Sequence, residues 1–203
     1  MIGILGGTRL SLTLGQALSA RGVEITYGVR SDFFSSEIEW KILKMSPNKV
    51  LSYKEVIEIS KVILLCTENP YLEMIFAELS DVDLSDKIII DCTNSDDYKA
   101  ITCNTDFIQN AIKSPKIFKA FNNLGLDYPN CDPMGLVKET YYCGPDITEK
   151  NIVKQLICMV GFKAIDAGNI ENAPLLEAMY HLRKEICSHR KEKVDYHFKL
   201  VSV

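Results

Sequence analysis

The sequence predicts an α/β fold in which a doubly wound, mostly parallel sheet carries a C-terminal helical extension. Three observations predict it. Residues 2–5, 61–66 and 87–92 are apolar runs with few interruptions, the pattern of parallel strands buried on both faces. Segments with helical spacing of apolar residues separate these runs, so strands and helices alternate along the chain. The first 31 residues read in order as strand, glycine turn, amphipathic helix and second strand, which is a βαβ opening.

Taken in order, the strand at 2–5 leads into a helix in which Leu10, Leu14, Ala17 and Leu18 recur on one face and Gly22 ends the run. Residues 23–27 form the second strand. Residues 33–43 read as a helix, 49–52 as a short edge strand, and 53–60 as a short helix with Val56, Ile57 and Ile59 turned inward. The strand at 61–66 follows, then a helix at 71–79 and the strand at 87–92. In the second half, 106–112 reads as a short helix and 116–121 as a further strand. Residues 124–137 hold Gly125, Pro129, Asn130, Pro133 and Gly135 and read as an exposed loop. A strand at 139–143, a helix at 148–160 capped by Asp146 or Thr148, and a strand at 162–166 come next. Residues 170–189 form a long helix with Pro174 near its start, where proline is tolerated. Residues 196–203 have the pattern to add a strand. Without internal repeats or linkers, the chain reads as one domain over 1–203, with about 170–203 as its extension.

Composition narrows the classes. Hydrophobic residues at 47% and charged residues at 25% suit a soluble chain, and 203 residues suffice for one well-buried α/β domain plus an appended piece. A net charge of −4 gives no reason to expect nucleic acid or an anionic membrane as partner. No apolar run approaches the roughly 20 residues of a membrane span. No signal peptide is expected, because the sequence opens directly on a strand. Seven cysteines, an odd number without a Cys-x-x-Cys pair, point to reduced thiols in a cytoplasm rather than to disulfides or zinc.

The first strand and helix are joined by Gly6-Gly7-Thr8-Arg9-Leu10-Ser11-Leu12. The dinucleotide fingerprint is Gly-x-Gly-x-x-Gly, and Gly7, with Gly6 ahead of it, supplies its first glycine. Arg9 stands where the second would let backbone approach a pyrophosphate. Ser11 or Leu12 stands where the third would let helix and strand pack closely. Taken alone, the turn reads equally as a nucleotide turn and as a βα connection that needs a left-handed residue. Arg9 reads either as a phosphate ligand or as a solvated first-turn arginine. Arg30, just past the second strand, favours the nucleotide. An acidic residue there would accept from a ribose 2′-hydroxyl, whereas a guanidinium suits the 2′-phosphate of NADP.

In open parallel sheets, ligands bind at the carboxyl ends of strands, beside the point where strand order reverses. Five loops begin there: Gly6-Gly7-Thr8, Val29-Arg30-Ser31, Cys66-Thr67-Glu68-Asn69, Asp91-Cys92-Thr93-Asn94 and Phe121-Asn122-Asn123. Singly, each asparagine reads as a turn residue bonded to its own backbone. Five such loops on one edge predict a pocket, with the amide of Asn122 standing over it. The candidate cofactor-binding residues are Gly6, Gly7, Thr8, Arg9, Arg30, Ser31, Cys66, Thr67, Asn94 and Asn122.

The segments KAFNNLG (119–125), IIIDCTN (88–94) and VGFKAIDAGNIENAPLLEAM (160–179) resemble the coenzyme F420-dependent NADP oxidoreductase family, which is itself similar to the cytoplasmic domain of six-transmembrane metalloreductases. The likeness runs from the first strand to about residue 182, with the segments in family order. It implies a Rossmann fold, NADP as cofactor, and hydride transfer between NADPH and a deazaflavin (F420) or flavin-like ring. It also favours a homodimer. On the matching positions it puts Gly7 and Thr8 under the pyrophosphate and Arg30 at the 2′-phosphate. Cys66 and Thr67 would lie along the cofactor, Asn94 near the ribose or nicotinamide, and Asn122 near the reacting rings. The chain departs from the family pattern in two places. The family keeps Gly-Thr-Gly-x-x-Gly, and here two of those glycines are lost. The proline after the strand at 61–66 also comes late, at Pro70 behind Glu68 and Asn69.

Other chemistry is missing. His181, His189 and His197 are not at metal-ligand spacing with one another or with cysteine, and read as surface or packing residues. No Gly-x-Ser-x-Gly elbow or Cys–His arrangement is present. Cys66 and Cys92 read as small buried hydrophobes. Hydride transfer between two bound rings requires no protein acid, base or nucleophile, so no catalytic residue is assigned. The same absence fits a dinucleotide-binding redox sensor or accessory protein without turnover, or a relic that lost nucleotide affinity. Residues 184–193 mix both charges and read as a solvated helix face. Leu175, Leu176, Met179 and Leu182 form a stripe that faces either the core or a second subunit.

Overall fold

A computed structural model of the chain describes residues 1–30, 49–79, 82–96, 103–112, 114, 116–189 and 196–201. Ser31, the expected helix at 33–43 and the charged residues at 190–193 lie outside these.

Among the described residues eight strands form one sheet. They are β1 (Ile2–Leu5), β2 (Ile25–Val29), β3 (Lys49–Ser52), β4 (Val62–Leu65), β5 (Ile88–Asp91), β6 (Ile117–Ala120), β7 (Glu139–Cys143) and β8 (Lys163–Asp166). Their order is β3-β2-β1-β4-β5-β6-β7-β8. Every neighbouring pair is parallel except β6 and β7, where Lys119 faces Cys143 and Ala120 faces Tyr142 in antiparallel register. The order runs outward from β1 in one direction and from β4 in the other. The reversal point therefore lies between them, with Leu5 level with both Gly28 and Leu65. This is the doubly wound, Rossmann-like sheet that the alternating pattern predicts.

Alternation along each strand feeds two cores, because successive side chains point to opposite faces. Ile2, Ile4, Leu64, Ile88, Ile90 and Phe118 turn toward α1 (Arg9–Ser19) and α5 (Glu149–Val160), against Leu10, Leu14, Leu18, Val153, Leu156 and Ile157. Leu5, Ile63, Leu65, Ile89 and Ile117 turn the other way. They meet Val56 and Ile57 of α2 (Tyr53–Ile59), Ile75 and Phe76 of α3 (Leu72–Glu78) and Ile108 of α4 (Asn104–Ala111). Each such side chain contributes about 1.5–3 kcal/mol by leaving water. The last helix, α6 (Ala173–Ser188), packs Ala173 and Leu176 on Tyr141 and Cys143 of β7. Among the described residues no helix is long and apolar enough to cross a membrane.

The missing third glycine of the turn has a substitute. Gly15, one helical turn further on, lies against Tyr27 of β2, and a Cβ there would run into the tyrosine ring and hydroxyl. Close helix–strand approach is thus kept, moved along α1.

Several expectations change. Ile59 is 45% exposed, because α2 ends there and only Val56 and Ile57 reach the core. The helix expected at 71–79 starts in a 3-10 turn, Asn69–Tyr71, and the one at 170–189 in another, Ile170–Asn172. Thr148 occupies the N-cap of α5 without a capping side-chain bond. The segment 196–201 is not a strand. It crosses β7 and the 124–137 loop irregularly, with Tyr141 Oη donating to Phe198 O at 3.4 Å and His197 Nε2 at 3.1 Å from Cys131 O. That loop is not wholly exposed. Leu124, Cys131, Asp132 and Val137 are buried, and the Asp132 carboxylate accepts from the amides of Leu136 and Val137 at 2.7 and 3.0 Å. The α6 stripe divides: Leu176 is buried, whereas Leu175 and Leu182 are exposed.

Candidate functional site

The glycine turn sits at the reversal point. Gly6 donates to Gly28 O at 2.9 Å and has φ +113°, in the left-handed region that favours glycine. A Cβ there would run into the carbonyl of Cys66, so the turn is clamped between the ends of β2 and β4. Thr8 caps α1, and its hydroxyl donates to Cys66 O at 2.9 Å while accepting from Ser11 N at 3.2 Å. Ser11 Oγ accepts from Thr8 N at 3.3 Å and also donates to Cys66 O at 3.2 Å. The Leu10 amide donates to Leu126 O at 2.9 Å. Gly7 and Thr8 are half-buried, and the Arg9 side chain is exposed.

Arg30 leaves the carboxyl end of β2 half-buried, its guanidinium 4.3 Å from the centroid of the Tyr71 ring. That stacking joins β2 to the 3-10 turn after β4, a cation–π contact.

Further along the edge, amides interlock. Asn94 Nδ2 donates to Asn122 O at 2.9 Å, and Asn122 Nδ2 donates to Asn94 Oδ1 at 3.0 Å and to Leu176 O at 2.9 Å. Asn69 Nδ2 donates to Asn94 O at 2.9 Å. Asn104 Nδ2 donates to Asn69 Oδ1 at 2.6 Å and to Thr93 Oγ1 at 2.7 Å. Asn122 is therefore fully buried, outside the lining of the cavity, with its Nδ2 committed to Asn94 and α6 and its Oδ1 without a partner among the described residues. Phe121 before it has φ 63°, a conformation costing a non-glycine residue about 1–3 kcal/mol, and its buried ring holds it there. Cys66 and Thr67 are buried beneath the same edge.

Below this lattice lies an ionic cluster. Lys119 Nζ donates to Asp91 Oδ2 at 2.7 Å, to Thr93 O at 2.7 Å and to Glu177 Oε1 at 2.5 Å. Glu177 also accepts from the amides of Ser95 at 2.8 Å and Asn104 at 3.0 Å, and Thr105 Oγ1 donates to Asp91 Oδ2 at 2.7 Å. All three charges are buried. Burial alone would lower the lysine, but the two carboxylates outweigh it and hold Lys119 above its ordinary range, so it stays protonated. Sequence reasoning missed this cluster. Its signal was a lysine inside the apolar strand KIFKAF and an aspartate closing IIID.

A cavity of about 430 Å³ opens over the edge, with Asn69, Asn94, Leu126, Asp127, Tyr180 and His181 among its lining. Of the nine candidate residues that are described, only Asn94 is in its lining, without the turn or Arg30. His181, read as a surface or packing residue, is part of the wall, and burial holds it below the ordinary histidine range despite the carboxylates of Glu177 and Asp96 nearby. Burial also pushes the Cys92 thiol well up, with Cys66 adding to the shift, so Cys92 is not a poised nucleophile.

The family described as NADP oxidoreductase coenzyme F420-dependent matches by its sequence model over residues 1–95. No curated protein matches the chain. Among solved structures, a proposed F420-dependent NADP reductase from Arthrobacter sp. FB24 is 20% identical, covering 92% of this chain and 93% of its own, with a TM-score of 0.79. A hypothetical protein from Sinorhizobium meliloti is 19% identical over 84% of this chain and 86% of its own, with a TM-score of 0.67. A reductive aminase from Aspergillus terreus, solved with NADPH and ethyl levulinate, is 16% identical over 91% of this chain but 62% of its own, with a TM-score of 0.62. At these identities the structural likeness shows the fold. The glycine turn, Arg30 and the loops through Asn94 all fall inside the matched stretch, and over residues 1–95 the chain is similar to the coenzyme F420-dependent NADP oxidoreductase family.

Proposed function

We propose that the chain is an NADP(H)-dependent oxidoreductase that moves a hydride between NADPH and a deazaflavin (F420) or flavin-like acceptor. The observation that carries the reading is Arg30, a guanidinium at the carboxyl end of β2 beside a glycine turn clamped at the sheet's reversal point. That placement suits a 2′-phosphate. The family match over residues 1–95 supports the same cofactor. Gly6, Gly7, Thr8, Arg9, Cys66, Thr67, Asn94 and Asn122 stand as the proposed cofactor-binding set, the last acting by holding Asn94. The partner is a small-molecule redox cofactor or substrate. The reading includes a cytoplasmic protein, and a homodimer formed through the exposed Leu175 and Leu182.

The fit to NADP is uneven. The adenosine end suits Arg30 and Tyr71. A pyrophosphate does not fit the turn as it stands, because the amides of Leu10 and Ser11 that face such a group are already bonded within the protein. The proposed set holds no acid, base or poised nucleophile, which fits a second reading, a dinucleotide-binding sensor or accessory protein without its own turnover. NADPH and NADH titrations followed by stopped-flow NADPH oxidation with F420, FMN and FAD separate the two. Tight NADPH binding with rapid transfer to one acceptor supports the enzyme, binding without transfer to any supports the sensor, and no binding removes both.

A further inference from the structure

We propose that residues 124–128 form a strap that closes the phosphate-facing side of the glycine turn, and that a dinucleotide binds by displacing it; the proposal rests on the NADP(H) reading. A helix leaves its first four amides without intrahelical partners, and those amides are what make its N-terminus attractive to phosphate. In α1 they are largely spent. Ser11 N is taken by Thr8 Oγ1 and Thr8 N by Ser11 Oγ, a local capping box. The Leu10 amide is taken at 2.9 Å by the carbonyl of Leu126, far away in sequence. A carbonyl oxygen carries partial negative charge, so here the chain supplies its own stand-in for a phosphate oxygen.

The strap is held by more than that bond. Thr13 Oγ1, which donates to Arg9 O at 2.9 Å, shares that hydrogen with Tyr128 O at 3.3 Å. Leu126 and Tyr128 rest on the core that α1 shares with α5, and Tyr128 meets Phe162 edge-on at 5.9 Å between ring centroids. Inside the strap, the Tyr128 amide donates to Gly125 O at 3.2 Å, folding it into a turn. Gly125 has φ 79°. Arg9 fits this picture. Where the family has a glycine that admits a phosphate close to the backbone, this chain has a long side chain beside a closed cradle.

Displacement predicts a nucleotide affinity set partly by the strap, so loosening the strap should tighten binding. A substitution that merely damaged the fold would weaken it. NADPH dissociation constants are measured for the wild type, Thr13→Val and Tyr128→Ala, with amide hydrogen exchange of segments 6–12 and 124–128 in the free and NADPH-saturated wild type. The expected result is three- to tenfold tighter binding in the variants, about the worth of one net hydrogen bond. NADPH should also slow exchange in 6–12 and speed it in 124–128. If Tyr128→Ala fails to fold, Thr13→Val and the wild-type exchange decide. Tight binding to the wild type with unchanged exchange in 124–128 and no gain in the variants overturns the strap while leaving the NADP(H) reading intact. Absence of NADPH binding in every protein overturns both.

Discussion

Lys119 ties the sheet to the last helix: its ammonium lies 2.5 Å from the Glu177 carboxylate, both groups buried, with Asp91 as the third charge. Removing one partner of such a cluster is far worse than never having built it, because the remaining charges stay in a poor solvent. Lys119→Met leaves two buried carboxylates facing each other and should destabilise by about 3–5 kcal/mol. Glu177→Gln keeps the Lys119–Asp91 pair and should cost less. Urea unfolding of the two variants gives the ranking, and a milder loss in Lys119→Met would mean that the cluster is wetter than its burial implies.

The same cluster sets an alkaline limit. The two carboxylates hold Lys119 above its ordinary range, so the folded chain keeps a proton that the unfolded chain releases near pH 10.4. The unfolded state then binds fewer protons, and stability falls as pH rises past that point. Wild type should lose stability above about pH 10.4 more steeply than Lys119→Met. Parallel curves in chemical denaturation at pH 9, 10 and 11 would remove Lys119 as the source.

Two left-handed glycines should respond differently to alanine. Gly6 at φ +113° has the Cys66 carbonyl where a Cβ would go; Gly22 at φ +81° has open space. Gly22→Ala should cost only the backbone penalty of about 1–2 kcal/mol. Gly6→Ala should add overpacking of about 1–3 kcal/mol. It should also shift the whole turn, so nucleotide titration of any folded Gly6→Ala protein should show a loss that Gly22→Ala does not.

The sheet was legible because parallel strands buried on both faces read as unbroken apolar runs, as at Ile63, Leu64 and Leu65. Strand ends, where ligands meet the sheet, were legible only as a set of loops. Asn122 shows why. Its position at the end of β6 is visible in the sequence, but the left-handed turn at Phe121 and the donation to Leu176 O that bury it are tertiary. The same holds for the Leu10–Leu126 bond, which no local pattern announces. Gly15 could have been found: a glycine one turn after the expected position, on the buried face of α1, still permits close approach to β2.

Asn122→Ala should therefore act on stability. It leaves Leu176 O and Asn94 Oδ1 without their donor in a buried setting, a loss of about 1–3 kcal/mol. A thermal melt set beside an NADPH titration checks it. A large loss of affinity with an unchanged melting temperature would return Asn122 to direct contact with the ligand.

Arg30 is the sharpest test of the nucleotide assignment, because its stacking on Tyr71 has a purely structural explanation. A cation–π contact at such a site is worth about 0.5–1 kcal/mol, and losing it would disturb NADPH and NADH alike. A charge-assisted bond to a 2′-phosphate is worth about 1.5–3 kcal/mol and exists for NADPH alone. Arg30→Ala should then weaken NADPH by roughly 10- to 150-fold, the same range expressed as a ratio of constants, while NADH changes little. Tyr71→Leu provides the control. It removes the stacking ring and leaves the guanidinium, so its effect should not distinguish the two nucleotides. If Arg30→Ala weakens both nucleotides equally, the arginine belongs to the stacking pair alone and the preference for a 2′-phosphate has no residue behind it.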